Sequence, residues 1–171
     1  EPGAAGDSAL VRYLELHGPS THLAISHIRH ATRGAVRFSN TQPFMRELGG
    51  RMHVFAHNGD LPGIEGSAVL APGPYRQLGQ TDSEAAFCAL MARMRRLWDG
   101  GDMPSLQARM SLVAAFACDL RALGPANFLY ADGEVLAIRK TAMDSCTLTA
   151  SPLDAGTHSR VSLSPRPPGA R

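Results

Sequence analysis

Two consecutive helical segments in the middle of the chain limit the folds open to this sequence. The first is predicted to begin at Thr81, which has the T-x-x-E spacing of a capping box with Glu84, and to end near Gly100. The second is predicted from about Ser105 to Gly124. Strand-like segments precede and follow this helix pair, so we expect an α+β domain rather than a doubly wound parallel sheet.

The strand-like segments are short and are bounded by turn-forming residues. Alternation of side-chain character predicts strands at residues 21–28, 51–56, 127–130 and 135–139. The pairs Asn58-Gly59 and Asp132-Gly133 follow two of these strands, and both are typical of tight hairpin turns. A short helix is predicted at residues 8–17, and residues 29–50 and 60–80 have the composition of long loops. We expect the second loop to border a binding pocket and to become ordered over a ligand.

Length and composition indicate one domain followed by a tail. The chain has 171 residues, of which 44% are hydrophobic, and this suffices for a single core. Residues 151–171 are rich in Ser, Pro, Gly and Arg and show no periodicity. We therefore expect a domain at residues 1–150 and a tail that is disordered or not native sequence.

Charge, apolar runs and cysteines exclude several classes of protein. A net charge of +2 argues against nucleic-acid binding, and no apolar run approaches the roughly 20 residues of a membrane span. No signal peptide is recognisable, and Cys88, Cys118 and Cys146 form no C-x-x-C pair, so we expect a reducing cytoplasm. Sixteen of the seventeen basic residues are arginine, which indicates a GC-rich, bacterial coding sequence.

A first polar cluster follows the first predicted strand, at residues 27–34. Arg29 carries a planar guanidinium that suits a carboxylate, and Thr32 can add a hydroxyl donor beside it. A carboxylate-binding site is one interpretation, and a solvated strand end with a surface ion pair is the other.

A second and a third polar cluster follow along the chain. At His57-Asn58-Gly59, a side-chain amide beside a glycine N–H suits a developing oxyanion, although the same pair can simply form a hairpin turn. At Thr81–Glu84, a capping box needs no function, yet Asp82 at the first helical position is free to bind an ammonium group. Arg29 and Asp82 together would hold an amino-acid zwitterion.

Other constellations point to less specific functions. His53, His57 and Asp60 could bind a metal, since the two histidines share one face of a strand, but satisfied or exposed histidines are the simpler interpretation. Arg93, Arg95 and Arg96 are interpreted as a solvated helix face. Buried helix positions are expected for Cys88, Cys118, Met91, Met94 and Met110.

Taken in order, the polar clusters resemble those of a known family. The motifs H-x-R-x-A-T-x-G, N-T-x-P-F, F-A-H-N-G and T-D-S-E-x-A-F follow one another, and the likeness extends over about residues 21–138. They resemble the glutaminase domain of class II glutamine amidotransferases, in particular the small stand-alone bacterial members. The resemblance implies an N-terminal-nucleophile (Ntn) hydrolase fold, an αββα sandwich, that here lacks N- and C-terminal strands.

The resemblance also implies roles for individual residues. Arg29 and Thr32 would hold the α-carboxylate of glutamine, and Asp82 would hold its α-ammonium group. Asn58 and the N–H of Gly59 would form the oxyanion hole. His57 would line the substrate pocket, with His27, Asn40, Pro43 and Phe44 in support. Gln42 stands where the family usually has histidine, a replacement that we expect to affect only local packing.

The nucleophile of the family is an N-terminal cysteine, which forms a γ-glutamyl thioester and releases ammonia while its own α-amino group acts as base. This chain begins with Glu1, so we expect the cysteine to lie upstream and the chain alone to be inactive. The implied activity is hydrolysis of the side-chain amide of glutamine or of a γ-glutamyl amide. The alternative is a catalytically inactive glutamine-binding module. A small-molecule substrate is the only partner expected, with no cofactor and no metal.

Overall fold

The strands form one antiparallel sheet in which sequence neighbours are also spatial neighbours. The computed structural model describes residues 8–19, 21, 23–29, 35–139 and 148–152. The strands are β1 (Phe44–Leu48), β2 (Arg51–Gly59), β3 (Ala126–Ala131), β4 (Val135–Arg139) and β5 (Leu148–Pro152). The helices are α1 (Ala9–His17), α2 (Asp82–Trp98) and α3 (Leu106–Leu123), with short 3₁₀ turns at Phe38–Asn40 and Ile64–Gly66. The α+β class is confirmed.

Helices α2 and α3 pack on one face of the sheet and enclose the main core. Phe55 of β2 stacks on Phe87 of α2 with ring centroids 5.5 Å apart, and it meets Phe116 of α3 at 6.4 Å. Phe128 of β3 completes this aromatic group at 5.4 Å from Phe55. Rings packed in offset and edge-on pairs bury large areas, so this group fixes how the helices sit on β2 and β3.

The opposite face of the sheet carries a smaller apolar cluster. Leu129, Ala131 and Leu136 are buried there, against Leu23 and Ile25 of the segment that was predicted as the first strand. That prediction is wrong for the described residues, since residues 21 and 23–28 have no strand assignment. The side chains of the segment nevertheless alternate between half-buried and exposed. The segment packs across the sheet face, where Leu23 and Ile25 meet the apolar cluster, and does not pair at the sheet edge.

Two predictions about the first hairpin are also wrong. Residues 44–48 were assigned to a loop but form β1, which is paired with β2 from Phe44↔Phe55 to Leu48↔Arg51. Asn58-Gly59 is not a turn, since β2 continues through it and pairs with β3. The hairpin turn is Gly49-Gly50, and both residues have the positive φ that glycine adopts without strain (+61° and +75°).

The predicted helices and the second hairpin are confirmed. Thr81 and Ser105 cap α2 and α3, each accepting a hydrogen bond from the backbone N–H three residues on. Glu84 does not close its capping box, because its carboxylate accepts from Leu78 N, Gly79 N and Arg46 instead. In the described part of the chain, no helix is both long enough and apolar enough to cross a membrane.

Other predictions about individual residues are confirmed or corrected. Met91, Met94 and Cys88 are buried as expected, but Cys118 is exposed. Arg93 is not simply solvated, since it lies over the Phe116 ring and pairs with Asp119 at 2.7 Å. A further group of predictions falls outside the described residues: Thr32, Cys146 and the tail from residue 153 onward. The strand β5 extends to Pro152, past the predicted domain boundary at 150.

Candidate functional site

The end of β2 meets the first turn of α2, and this junction brings together His57, Ser83 and Asp82 of the polar clusters singled out from the sequence. Asp82 is the first residue of α2. Its Oδ2 accepts from Leu61 N at 2.8 Å and its Oδ1 accepts from Ser83 N at 2.8 Å. The first bond ties the chain that leaves β2 to the start of the helix, and the second lies within the first turn of the helix. They also correct the expectation that Asp82 is free, although a carboxylate with two bound N–H donors retains lone pairs for an ammonium group.

Asn58 is oriented by a histidine from the opposite sheet face. His27 Nε2 lies 2.6 Å from Asn58 Oδ1. Because an amide oxygen only accepts, the histidine donates, and the donor atom of Asn58, Nδ2, occupies the other arm of the amide. Burial is the main influence on His27 and lowers its pKa, so its ring is neutral near pH 7. The pair therefore fixes which side of Asn58 can act as a hydrogen-bond donor.

His57 lies on the helix side of β2 and is buried. Its Nδ1 lies 2.9 Å from Ser83 Oγ, while its Nε2 is buried and has no hydrogen-bond partner in the part of the chain that the structure describes. Burial lowers the pKa of His57 to about 4, against an opposing attraction from Asp82. A neutral ring with one engaged nitrogen and one unpaired nitrogen can bind or orient a group without carrying charge itself.

Gly59 lies at a point where no side chain fits. A Cβ at this position would be 2.0 Å from the carbonyl oxygen of Pro125 and 2.8 Å from His57 Nε2. Backbone atoms and the imidazole ring thus approach the Gly59 Cα closely. This close approach requires glycine at the end of the strand.

Asn40 connects the segment after Arg29 to the segment before Asp82. The Asn40 side chain is buried, donates to Ala35 O at 2.9 Å and accepts from Gln80 N at 2.8 Å. Arg29 is half-buried and donates to the same Ala35 carbonyl at 3.4 Å. The structure thus relates Arg29 to the junction indirectly, through Ala35 and Asn40. Thr32 is not among the described residues.

Phe44 has a different place, in the main core, where it pairs with Phe55 across β1 and β2. The interpretation of His53 as a metal ligand finds no support in the described residues, which contain no group of three or more candidate ligands. His53 and His57 do share one face, but His53 Nδ1 lies 2.7 Å from the Tyr130 hydroxyl and its Nε2 lies 3.3 Å from Leu48 O.

Sequence reasoning missed two residues that contact this junction. Ser83 was treated only as part of a capping box, yet it binds the His57 ring. Gln42 was expected to affect packing alone, but its side chain makes two hydrogen bonds to the backbone of His57. Both residues lie within motifs that were recognised in the sequence. No local pattern, however, indicates which strand a polar side chain will contact.

The comparisons with known proteins agree with the motifs. Residues 1–158 match the model of the family described as class II glutamine amidotransferases. Escherichia coli YafJ, itself assigned to the glutamine amidotransferases by prediction, is 35% identical over 135 residues, which cover 78% of this chain and 51% of YafJ. A similarly assigned Haemophilus influenzae protein is 36% identical over 110 residues, covering 64% of this chain and 36% of that protein.

A solved structure is also similar. The crystal structure of a predicted glutamine amidotransferase from Pseudomonas aeruginosa PA01 is 32% identical, with a TM-score of 0.55, and the match covers 71% of this chain and 51% of that chain. The chain thus spans about half the length of YafJ and of this solved relative. The match to the family model over most of the chain shows that the chain belongs to the class II glutamine amidotransferases.

Proposed function

We propose that this chain supplies the oxyanion hole and the amino-acid-binding residues of a glutaminase that acts through an N-terminal cysteine. The observation that carries the proposal is the junction of β2 and α2. There Asn58 is oriented by His27, and Asp82 stands at the first position of the helix. Asn58 supplies a neutral hydrogen-bond donor to the negative charge that develops during attack, and Asp82 supplies a carboxylate to the ammonium group of the substrate.

The proposed reaction has two steps. The cysteine thiolate attacks the side-chain amide carbon of glutamine, and negative charge develops on the amide oxygen, where Asn58 Nδ2 and Gly59 N–H donate to it. The α-amino group of the cysteine, which took the thiol proton, returns it to the amide nitrogen, so that the C–N bond breaks, ammonia leaves and a γ-glutamyl thioester remains. Water then attacks the thioester carbon through a second oxyanion at the same donors, releasing glutamate and restoring the thiol.

We assign substrate binding to residues that contact the two charged groups of the glutamine zwitterion. Asp82 binds the α-ammonium group, and Arg29, together with Thr32, binds the α-carboxylate. The N-terminus of α2 does not favour a cation by itself, since the helix dipole is positive there. The Asp82 carboxylate offsets that field, which explains why an acidic residue is needed at this position for an amino-acid substrate.

The αββα sandwich of Ntn hydrolases is part of the proposal. Helices cover one face of the described sheet, while the opposite face carries Leu129, Ala131 and Leu136 and leaves Met45 and Met52 half-exposed. An apolar sheet face is stabilised when a second layer covers it. The sandwich supplies that layer as a second sheet.

The test is ammonia release from L-glutamine by the full gene product, measured alongside binding of L-glutamine by calorimetry. We expect turnover in the presence of an N-terminal cysteine, and none after that cysteine is replaced by alanine. L-Asparagine, one methylene shorter, serves as the matched substrate control. Binding of glutamine without ammonia release by the intact protein would support the inactive binding module instead. Absence of both would contradict the assignment of Asp82 and Arg29.

The choice between free glutamine and a larger γ-glutamyl amide is addressed by the same assay. A series of γ-glutamyl amides with growing amine substituents is compared with glutamine at equal concentration. We propose that the α-amino-acid end is recognised in every case, because Asp82 and Arg29 contact only that end. A substrate that lacks the α-ammonium group is therefore expected to lose most of its binding.

A further inference from the structure

Gln42 lies opposite His57, where an extension of β1 would pair with β2, but Gln42 is not part of that strand. The register of β1 and β2 begins at Phe44↔Phe55, and since the strands are antiparallel, two residues back from Phe44 and two residues on from Phe55 bring Gln42 opposite His57. Strand β1 begins at Phe44, so the main-chain ladder between β1 and β2 ends at the Phe44↔Phe55 pair. At this point β2 would lose its neighbour on one side.

The Gln42 side chain takes over the missing backbone pairing. Its Nε2 donates to His57 O at 3.0 Å, and its Oε1 accepts from His57 N at 2.5 Å. A carboxamide carries one carbonyl and one N–H₂ group, the same pair of functions as a peptide bond. The two contacts reproduce the double exchange of a hydrogen-bonded pair in an antiparallel ladder.

These bonds act on the peptide groups that lead into the oxyanion hole. His57 N belongs to the peptide group before His57, and His57 O belongs to the group that carries Asn58 N. Gln42 is 8% exposed, so water does not compete for these bonds, and β3 pairs with the other side of β2 at Ala56↔Leu129 and Asn58↔Asn127, on either side of His57. The strand end is therefore fixed on both sides immediately before Asn58 and Gly59.

We propose that Gln42 is a positioning residue, whose side-chain amide replaces a strand partner for His57 and fixes the backbone that carries the oxyanion donors Asn58 and Gly59. This inference rests on the proposed function where turnover is concerned. Gln42 touches neither the substrate nor the reacting atoms, so its loss affects the geometry of the donors and not the binding of the amino-acid end.

The first experiment compares Gln42→Met with wild type in the full-length protein. Methionine has a similar length and no amide, so both bonds are lost while the volume is largely kept. We expect kcat to fall by roughly 10- to 100-fold with KM changed by less than about 3-fold, because small displacements of catalytic donors cost that much. Gln107→Met, at an exposed position on α3, is the control for loss of an amide.

The second experiment uses Gln42→Glu, which has the same shape. An ionised glutamate can accept from His57 N but repels His57 O, whereas the protonated acid can make both bonds. Burial raises a carboxyl pKa above its usual value of about 4.3. We therefore expect the ratio of variant to wild-type kcat to rise about 10-fold as the pH falls from 8 to 5, with no such rise for Gln42→Met.

A third measurement keeps the inference separate from the proposed function. If the wild-type protein binds or turns over no glutamine, hydrogen exchange of the His57 amide decides. We expect it to be at least about 10-fold faster in Gln42→Met than in wild type or Gln107→Met. Unchanged exchange at His57, unchanged kcat in Gln42→Met, or a pH-independent ratio for Gln42→Glu would each overturn the positioning role.

Discussion

The two ends of strands β2 and β3 each carry a buried polar cluster, and the clusters differ in how their groups are paired. At the start of β2 lies an ion cluster, made by Arg109, Asp132 and Glu134 with the His53–Tyr130 pair beside it. At the end of β2 lies a site cluster of neutral histidines and an amide, defined by His27, His57 and Asn58 with Ser83 and Asp82.

The ion cluster is completely paired. Arg109 is 1% exposed and donates to Pro104 O, Asp132 and Glu134. The remaining oxygen of Asp132 accepts from Glu134 N and Val135 N in the β3–β4 turn. Buried charges of this kind are tolerated when every donor and acceptor is satisfied. We infer that this cluster holds α3 against the turn and serves stability.

The site cluster is incompletely paired. Among the described residues, His27 Nδ1 and His57 Nε2 are buried and find no hydrogen-bond partner, and both rings have lowered pKa values because burial disfavours their charged forms. Buried polar atoms without partners cost free energy of folding, so they are retained where a ligand or solvent molecule uses them. The contrast between these two clusters teaches that the ion cluster satisfies its own polar groups, whereas the site cluster leaves ring nitrogens available to a ligand.

The largest effect is expected from breaking the ion cluster. Asp132→Ala leaves Arg109 buried with one carboxylate partner and removes two acceptors from the turn. Breaking a buried pair in this way costs about 3–5 kcal/mol of unfolding free energy, or roughly 10 °C in Tm. Thermal unfolding with Asp102→Ala, an exposed carboxylate, as control checks this. A Tm within 1 °C of wild type would show that the cluster is not structural.

The matching change in the site cluster is Asn58→Ala. It removes a donor proposed to act on charge that appears only during attack, so kcat should fall by about 10²–10³ with KM nearly unchanged. The Tm should move far less than in Asp132→Ala. Steady-state ammonia release and thermal unfolding measure the two quantities, with Gln107→Ala as control. A loss of Tm comparable to that of Asp132→Ala would remove the distinction between the clusters.

Asp82→Ala is expected to act on binding first. A charge-assisted contact to the substrate ammonium group is made in the ground state and in the transition state alike, so KM should rise by roughly 10- to 100-fold. Asp82→Asn removes the charge but keeps the size and one of the two acceptor oxygens that bind the Leu61 and Ser83 amides, so comparing it with Asp82→Ala separates loss of charge from most of the loss of local structure. Equal effects of Asp82→Ala and Asn58→Ala on kcat alone would overturn the assignment of their roles.

The smallest effect concerns acid stability. The pKa of His57 is lowered to about 4 in the folded protein, against an unfolded value of 6.5. The unfolded state therefore binds the proton first, so stability is full above pH 6.5 and falls as the pH approaches 4. Between pH 7 and 5 we expect a loss of about 1–2 kcal/mol attributable to His57. Urea unfolding of His57→Gln should show a shallower pH dependence; an unchanged slope would contradict this origin.

Local patterns predicted the helices and the second hairpin, for a simple reason. The N-termini of α2 and α3 are capped by the side chains of Thr81 and Ser105, each of which accepts a hydrogen bond from the backbone N–H three residues on. Such short-range bonds can be inferred from neighbouring residues in the sequence. The motif residues Asn58, His57 and Asp82 were likewise recognisable, since each lies in a short polar cluster. Their meeting at one junction was expected from the family resemblance.

Pairing over long distances decided the rest. The pair Asn58-Gly59 has the sequence of a turn, yet β2 continues through this pair because it is bonded to β3, which lies more than sixty residues later. Residues 21–28 alternate like a strand, yet the described ones pack across the sheet. Gln42, Ser83 and Arg109 acquire partners 15, 26 and 23 residues away. The sequence by itself determined the helices with their caps, the second hairpin and the identity of the polar motif residues. The tertiary structure decided which polar groups are paired, because burial and partner choice depend on strands and helices brought together only by folding.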